Sequence, residues 1–103
     1  HLPGVQNPNI TGQPSGVSVA AGATATFTVT AESIDGGTLS YQWQKAVGGG
    51  TFANISGANS ASYQTAATVA GDDGTLYRCL VTNTKGGLSV TATTVAAMLT
   101  VAG

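Results

Sequence analysis

This 103-residue chain has few of the residues on which most protein chemistry depends. It contains one cysteine (Cys79), one histidine (His1), three basic residues and four acidic residues. Charged residues make up 7% of the chain, against about 25% in an average domain. A net charge of −1 provides neither a basic field for nucleic acids or anionic lipids nor an acidic field for cationic ligands. We therefore expect no nucleic-acid partner and no insertion into membranes.

The scarcity of titratable groups argues against catalysis. A histidine at the first position is poorly placed to orient a serine or cysteine nucleophile, because chain ends are rarely held in place. The acidic residues form two separate pairs, Glu32 with Asp35 and Asp72 with Asp73. Such pairs provide neither the facing carboxylates of a glycosidase nor the roughly six to eight oxygens of a calcium site. We expect no catalytic residue, no cofactor, no metal and no enzymatic activity.

A single cysteine also excludes an internal disulfide, so the redox compartment stays open. No apolar run is long enough to cross a bilayer, and no Lys or Arg precedes an apolar stretch at the start, as it would in a signal peptide. We expect residues 1–7 to be a linker or an expression remnant. Residues 8–103 then form a single domain of ordinary size.

The residues that are abundant, namely Ala, Thr, Gly, Ser and Val, are arranged with a period of two. In "ATATFTVTA", Phe27 and Val29 fall on one face and threonines on the other. "LSYQWQK" and "TLYRCLVTN" place Trp43 and Cys79 on similar apolar faces. Glycine-rich turn signals separate these segments, and none shows a helical stripe. Evenly spaced short strands predict an all-β sandwich.

Three sequence features resemble the landmarks of immunoglobulin-like domains. "DGTLYRC", residues 73–79, resembles the strand-F signature, Trp43 resembles the buried tryptophan of strand C, and Gly22 with "ATATFTV" resembles strand B and the turn before it. Val29 stands where the family usually has its first cysteine. The resemblance extends from about residue 8 to residue 101, and it is strongest to bacterial and bacteriophage modules that lack the disulfide. It implies a Greek-key sandwich of two antiparallel sheets with about seven strands.

The resemblance also implies structural roles. The expected structural core comprises Phe27, Val29, Trp43, Asp73, Tyr77 and Cys79. Tyr77 is expected to form a tyrosine corner, with its hydroxyl bonded to upstream backbone, and Asp73 to secure the turn before strand F or to meet Lys45. Cys79 is expected to be an inert, buried thiol that faces Val29. Strand G is expected to begin somewhere in residues 88–95.

Function should then lie in surfaces, above all in the loops at one end of the sandwich. The B–C loop (32–38) offers Ile34 and Asp35, and the F–G loop (84–88) offers Lys85 and Leu88. The same residues are equally compatible with simple solvated turns. Few aromatic residues remain for stacking on sugars.

Three functions remain open. The first is a non-catalytic module of a bacteriophage virion or bacterial cell-surface protein that mediates adhesion to cell-surface glycans or proteins. The second is a structural spacer or stalk module that contacts neighbouring domains in a multidomain extracellular protein. The third is an accessory domain of a secreted polysaccharide-degrading enzyme. The expected location is extracellular, on a bacterial surface or a virion, and a missing disulfide is consistent with virion assembly in a reducing cytosol.

Overall fold

The structure is a computed structural model that describes residues 6–102. Within that range the regular elements are ten strands and one short 3-10 helix at Ala70–Asp72. The strands are β1 (Asn9–Gly12), β2 (Val17–Ala20), β3 (Thr26–Thr28), β4 (Thr30–Glu32), β5 (Thr38–Ala46), β6 (Ala53–Asn54), β7 (Ser62–Gln64), β8 (Leu76–Lys85), β9 (Leu88–Thr93) and β10 (Ala97–Ala102). No helix in the described part of the chain is both long and apolar enough to span a membrane.

One layer of the sandwich is built on the long antiparallel pair of β5 and β8. This pair runs from Thr38 opposite Thr84 to Ala46 opposite Leu76. The strand order is β2-β10-β8-β5-β6, and β9 also pairs with β8. Strand β2 runs parallel to β10, whereas the other pairs in this sheet are antiparallel, so this sheet is mixed and not wholly antiparallel as predicted.

The opposite layer consists of β1 paired with β4 and β3 paired with β7. Strands β3 and β4 are the two halves of a single strand B, separated only by Val29. The N–H of Val29 donates to the carbonyl of Ala61 at 2.9 Å. Strands A (β1 and β2) and G (β9 and β10) are likewise divided in two. The ten segments therefore form seven strands, which confirms the predicted immunoglobulin-like sandwich.

The two layers enclose an apolar core in which five of the six predicted core residues lie. Trp43 and Cys79 have no exposed surface, and Phe27, Val29 and Tyr77 are at most 5% exposed. Complete burial of a side chain as large as Phe27 stabilises a fold by about 1.5–3 kcal/mol. The indole N–H of Trp43 donates to a backbone carbonyl, that of Ser60, at 2.7 Å, so the polar atom of this buried ring is satisfied.

Two of the predicted core residues, Asp73 and Tyr77, also differ from their expected roles. Asp73 is exposed rather than in the core, and its carboxylate accepts a 2.8 Å hydrogen bond from the N–H of Val101, which links the turn before β8 to β10. No ion pair between Asp73 and Lys45 is present in residues 6–102. The hydroxyl of Tyr77 has no hydrogen-bond partner within the same residues, so the tyrosine-corner bond is absent. The Tyr77 ring instead stacks on Phe27 at a centroid distance of 4.6 Å, and burial raises the pKa of its hydroxyl to about 12.

Strand G begins at Leu88, the first position of the expected range, and a bulge divides it. Three residues of this strand, 94–96, lie opposite two residues of β8, 78 and 79. Thr94 is buried there: its N–H donates to the carbonyl of Cys79, and its hydroxyl accepts from the Cys79 N–H at 2.9 Å. The threonine side chain thus replaces a ladder hydrogen bond that the bulge would otherwise leave unmade.

The predicted linker at residues 1–7 lies mostly outside the described range. Its described residue Gln6 contacts the domain directly: the Gln6 N–H donates to Asp35, and the Gln6 carbonyl accepts from Asn83. The chain is therefore held against the sandwich from residue 6 onward.

Candidate functional site

The four loop residues predicted to bind a partner lie at the same end of the sandwich. The B–C loop leads directly into Thr38, and Thr38 pairs with Thr84 next to the F–G turn. Ile34 and Leu88 are 61% and 56% exposed, and Lys85 is exposed as well. The fold thus places two apolar side chains and one cation at this end, and their role in binding stays a prediction.

The F–G connection is a tight two-residue hairpin turn. Lys85 pairs with Leu88, and the intervening Gly86 and Gly87 have φ angles of 61° and 82°. Two consecutive positive φ values are the conformation of a type I′ turn, which glycine adopts without strain. The turn therefore holds Lys85 and Leu88 side by side on paired strands.

Asp35 has a different role from that of its exposed neighbours. Its carboxylate accepts hydrogen bonds from the backbone N–H groups of Gln6 and Gly37 and from the side chains of Ser33 and Asn83, at 2.8–3.0 Å. These hydrogen bonds hold the pKa of the Asp35 carboxyl well below its usual range. The bond from the Gln6 N–H has the largest effect, followed by the bond from Asn83. The geometry therefore gives Asp35 a structural function, in which it fastens the N-terminal segment to the B–C loop and to β8.

Asn83 completes this arrangement and was not singled out in the sequence. It is fully buried, and its side-chain amide donates to both Asp35 and the Gln6 carbonyl at 2.9 Å. Gly37 lies against it so closely that a Cβ atom there would overlap the Asn83 side-chain oxygen. The sequence does contain a signal for this role: Asn83 is a polar residue at an inward-facing position of a strand, and a buried polar side chain needs hydrogen-bond partners inside the protein.

The outward face of the β5–β8 sheet carries a chain of planar polar groups. Arg78 Nε donates to Gln44 Oε1 at 2.9 Å, and Gln44 Nε2 donates to Asn54 Oδ1 at 2.8 Å. The Arg78 guanidinium carbon lies 4.0 Å from the centre of the Phe52 ring, a cation–π contact. Sequence reasoning missed this group because its members are distant in the chain and meet only through strand register.

A groove of about 330 Å³ lies where strand A leaves strand B and crosses to the other sheet. Residues 12, 13 and 15–17 line one wall, and the outward threonines of β3 line the other. Strand β3 has a partner, β7, on its opposite edge only. The groove is lined by uncharged residues and exposes part of a strand edge.

Across residues 6–102, no group of three or more His, Cys, Asp or Glu side chains is close enough to hold a metal ion. Cys79 is fully buried, and desolvation raises the pKa of its thiol to about 11. A thiol with so high a pKa is protonated at neutral pH and is therefore a poor nucleophile.

Most of this chain matches the model of one known protein family. Residues 10–103 match the model of a family described as a domain of unknown function, DUF8696. The chain belongs to this family. DUF8696 carries no functional description, and no curated protein matches the sequence.

Solved structures similar to this DUF8696 chain are immunoglobulin domains. A titin M10–obscurin-like 1 Ig complex aligns with a TM-score of 0.54 and 21% identity over 92% of each chain. A chimeric titin Z1Z2 aligns with a TM-score of 0.55 and 22% identity, over 96% of this chain and 97% of the other. The tandem Ig repeats of Dlar align with a TM-score of 0.55 and 19% identity, over 92% of this chain and 46% of theirs, so this chain spans about half the length of that solved chain. At these identities the likeness establishes the immunoglobulin-like fold alone.

Proposed function

We propose that this chain is a non-catalytic immunoglobulin-like module of a bacteriophage virion or bacterial cell-surface protein, which attaches to cell-surface glycans or proteins. The observation that supports binding is the loop end, where Ile34 and Leu88 are more than half exposed beside Lys85. Apolar side chains that are exposed together at one place are a feature of surfaces that contact a partner. The proposed location is accordingly extracellular.

The test of this proposal is binding of the domain to bacterial cells and to an array of bacterial surface polysaccharides. Ile34→Ser and Lys85→Gln each change the loop end, and both positions are exposed, so neither variant disturbs the core. Val69→Ser is the matched control, because Val69 is 60% exposed but lies at the opposite end, beside the 3-10 helix. We expect binding to fall in the two loop-end variants and to persist in the control. Equal binding by all three variants would refute the loop-end assignment.

A spacer function is the second candidate, and the path of the chain favours it. The chain enters at the loop end, where Gln6 is bonded to Asp35, and it leaves at the other end, where Ala102 pairs with Ala20. Entry and exit at opposite ends allow copies or neighbouring domains to stack in a row. Contact with neighbouring domains of the parent chain would then be the main interaction of this module.

Small-angle scattering of two copies fused in tandem tests the spacer function. A stalk predicts a rigid rod with a maximum dimension close to twice the 56 Å length of one copy. A folded-back or highly flexible pair would argue against a stalk. A rod that shows no binding to cells or polysaccharides would favour the spacer over the adhesion module.

A further inference from the structure

Arg78 is the third residue of β8, the central strand of its sheet, and lies on the outward face. It pairs directly with Gln44 of β5, which in turn pairs with Asn54 of β6. Residues directly opposite each other on paired strands share one face of the sheet, and successive residues alternate between the two faces. Trp43 precedes Gln44, Cys79 follows Arg78, and both Trp43 and Cys79 are buried in the core. The side chains of Arg78, Gln44 and Asn54 therefore lie together on the face that is turned away from the core.

The Arg78 guanidinium is held in one orientation before any ligand arrives. Phe52 lies beneath it, with the guanidinium carbon 4.0 Å from the ring centre, and Gln44 accepts from its Nε at 2.9 Å. The second bond of Gln44, to Asn54, fixes which way the Gln44 amide points. A planar donor group that is already ordered loses little conformational entropy when it binds.

The charge of Arg78 is not compensated by the protein. Arginine has five N–H donors, and only the one on Nε is used within residues 6–102. Those residues contain no ion pair, and the acidic residues lie at the two ends of the sandwich, at 32–35 and 72–73. By strand register, Arg78 is the only charged residue of the described chain on the outward face of β5, β6, β8 and β9. Lys45 on β5 is exposed as well, but it pairs with the inward-facing Tyr77.

The side chains around Arg78 combine polar and apolar character. Gln44 and Asn54 offer amide groups on one side, and Leu76 and Leu80, which are partly exposed, flank Arg78 along its own strand. Sugar rings present hydroxyl groups together with apolar C–H faces, which matches this mixture. A carboxylate matches the edge of the ordered guanidinium that carries the two terminal nitrogens, whose N–H groups are both free to form paired hydrogen bonds with it.

From this geometry we infer that Arg78, supported by Gln44, Asn54 and Phe52, binds the carboxylate of an acidic saccharide on the sheet face. The inference rests on the proposed function as a cell-surface binding module, but it places the saccharide site away from the loop end. Arg78 supplies the paired hydrogen bonds and the charge, and the amides of Gln44 and Asn54 contact adjacent hydroxyls. The interaction weakens as ionic strength rises, because an exposed charge pair is screened by salt.

The experiment titrates the ¹⁵N-labelled domain with tetragalacturonate and, separately, with its methyl ester, which lacks the charge. The signals followed are the Arg78 Nε–H and the side-chain amides of Gln44 and Asn54, which report position as well as affinity. We expect saturable shifts of these signals with the acid and none with the ester. Arg78→Gln should weaken binding at least about tenfold, since hydrogen bonds to a charged group contribute about 1.5–3 kcal/mol.

Two variants separate this site from the loop end and from a mere charge effect. Lys85→Gln removes the same charge at the loop end and should leave the affinity within about twofold. Arg78→Lys keeps the charge but not the planar fork, so its affinity should lie between those of the wild type and Arg78→Gln. The amide spectrum of each variant shows whether the fold is retained.

Several results would overturn the inference. If Lys85→Gln loses binding and Arg78→Gln does not, the saccharide binds at the loop end, and the proposed function stands while the sheet-face site falls. If tetragalacturonate causes no shifts although the domain still binds cells, the sheet-face site alone is refuted. Tighter binding of tetraglutamate than of tetragalacturonate would show that the site takes an acidic peptide and not a saccharide.

Discussion

Replacing Val29 by cysteine should create a disulfide across the sandwich. Val29 is 2% exposed on strand B, Cys79 is fully buried on β8, and both belong to the same apolar core cluster. A disulfide requires the two Cα atoms to lie within about 7 Å and the Cβ atoms to face each other. The Val29→Cys variant therefore tests directly whether strand B faces β8 at these two positions.

The expected gain follows from the length of the loop that the bond would close. Residues 29 to 79 enclose about 51 residues, and the chain-entropy relation gives about 4 kcal/mol at 25 °C for a loop of that length. For a domain of this size, about 1 kcal/mol shifts Tm by roughly 4 °C or more, so the oxidised variant should melt about 15 °C above the reduced one. Strain in the bond would reduce this figure.

Thermal unfolding of the oxidised and the reduced variant provides the measurement, and the reduced sample is its own control. Intact mass should fall by about two mass units on oxidation, and thiol titration in denaturant should find none free. Two free thiols after mild oxidation, or an oxidised form that melts no higher than the reduced form, would refute the facing of Val29 and Cys79.

Three further predictions concern Cys79, Asp35 and Gly37. In the wild type, Cys79 should react with a thiol reagent only after denaturation, because it is fully buried and its thiol pKa is raised to about 11; rapid native labelling would contradict this burial. Asp35 has a lowered pKa, so it stabilises the fold above its unfolded pKa of about 4, and this stabilisation is lost as the pH falls towards the folded-state pKa. Asp35→Asn should therefore lower Tm near pH 7 and make Tm fall less steeply between pH 7 and about pH 3; plots of Tm against pH that run parallel for the variant and the wild type would exclude this role. Gly37→Ala should destabilise the domain by about 1–3 kcal/mol in urea unfolding, because its Cβ meets Asn83, whereas Gly71→Ala meets nothing within 4 Å; equal stability of both would contradict the close packing.

The strands and the core could be predicted from the sequence because both are encoded locally. The period of two in "ATATFTV" placed Phe27 and Val29 inside, and the same period placed Trp43 and Cys79 inside on two other strands. Because a sandwich core contains the inward residues of each strand, correct periods were sufficient to find it. The breaks in strands A and G were less predictable, since each depends on which neighbour a strand finds.

The polar clusters could not be predicted, because they form between residues that are distant in sequence. Asp35 was predicted as an exposed binding residue, yet Asn83, 48 positions away, bonds to its carboxylate. Arg78 meets Gln44 across 34 positions and was not considered as a surface group. The period-two pattern of a strand indicates which face of the sheet a residue occupies. Which polar side chains meet on that face depends on the register between strands, which the pattern does not give.

The parallel pairing of β2 with β10 has a mechanical consequence. Val17–Ala20 lies near the start of the described chain and Ala97–Ala102 at its end, and the two strands run in the same direction with Leu99 opposite Val17 and Ala102 opposite Ala20. A force that pulls the chain ends apart therefore slides these strands past each other and loads all their hydrogen bonds simultaneously. Such a shear geometry resists extension better than one in which the bonds open one at a time.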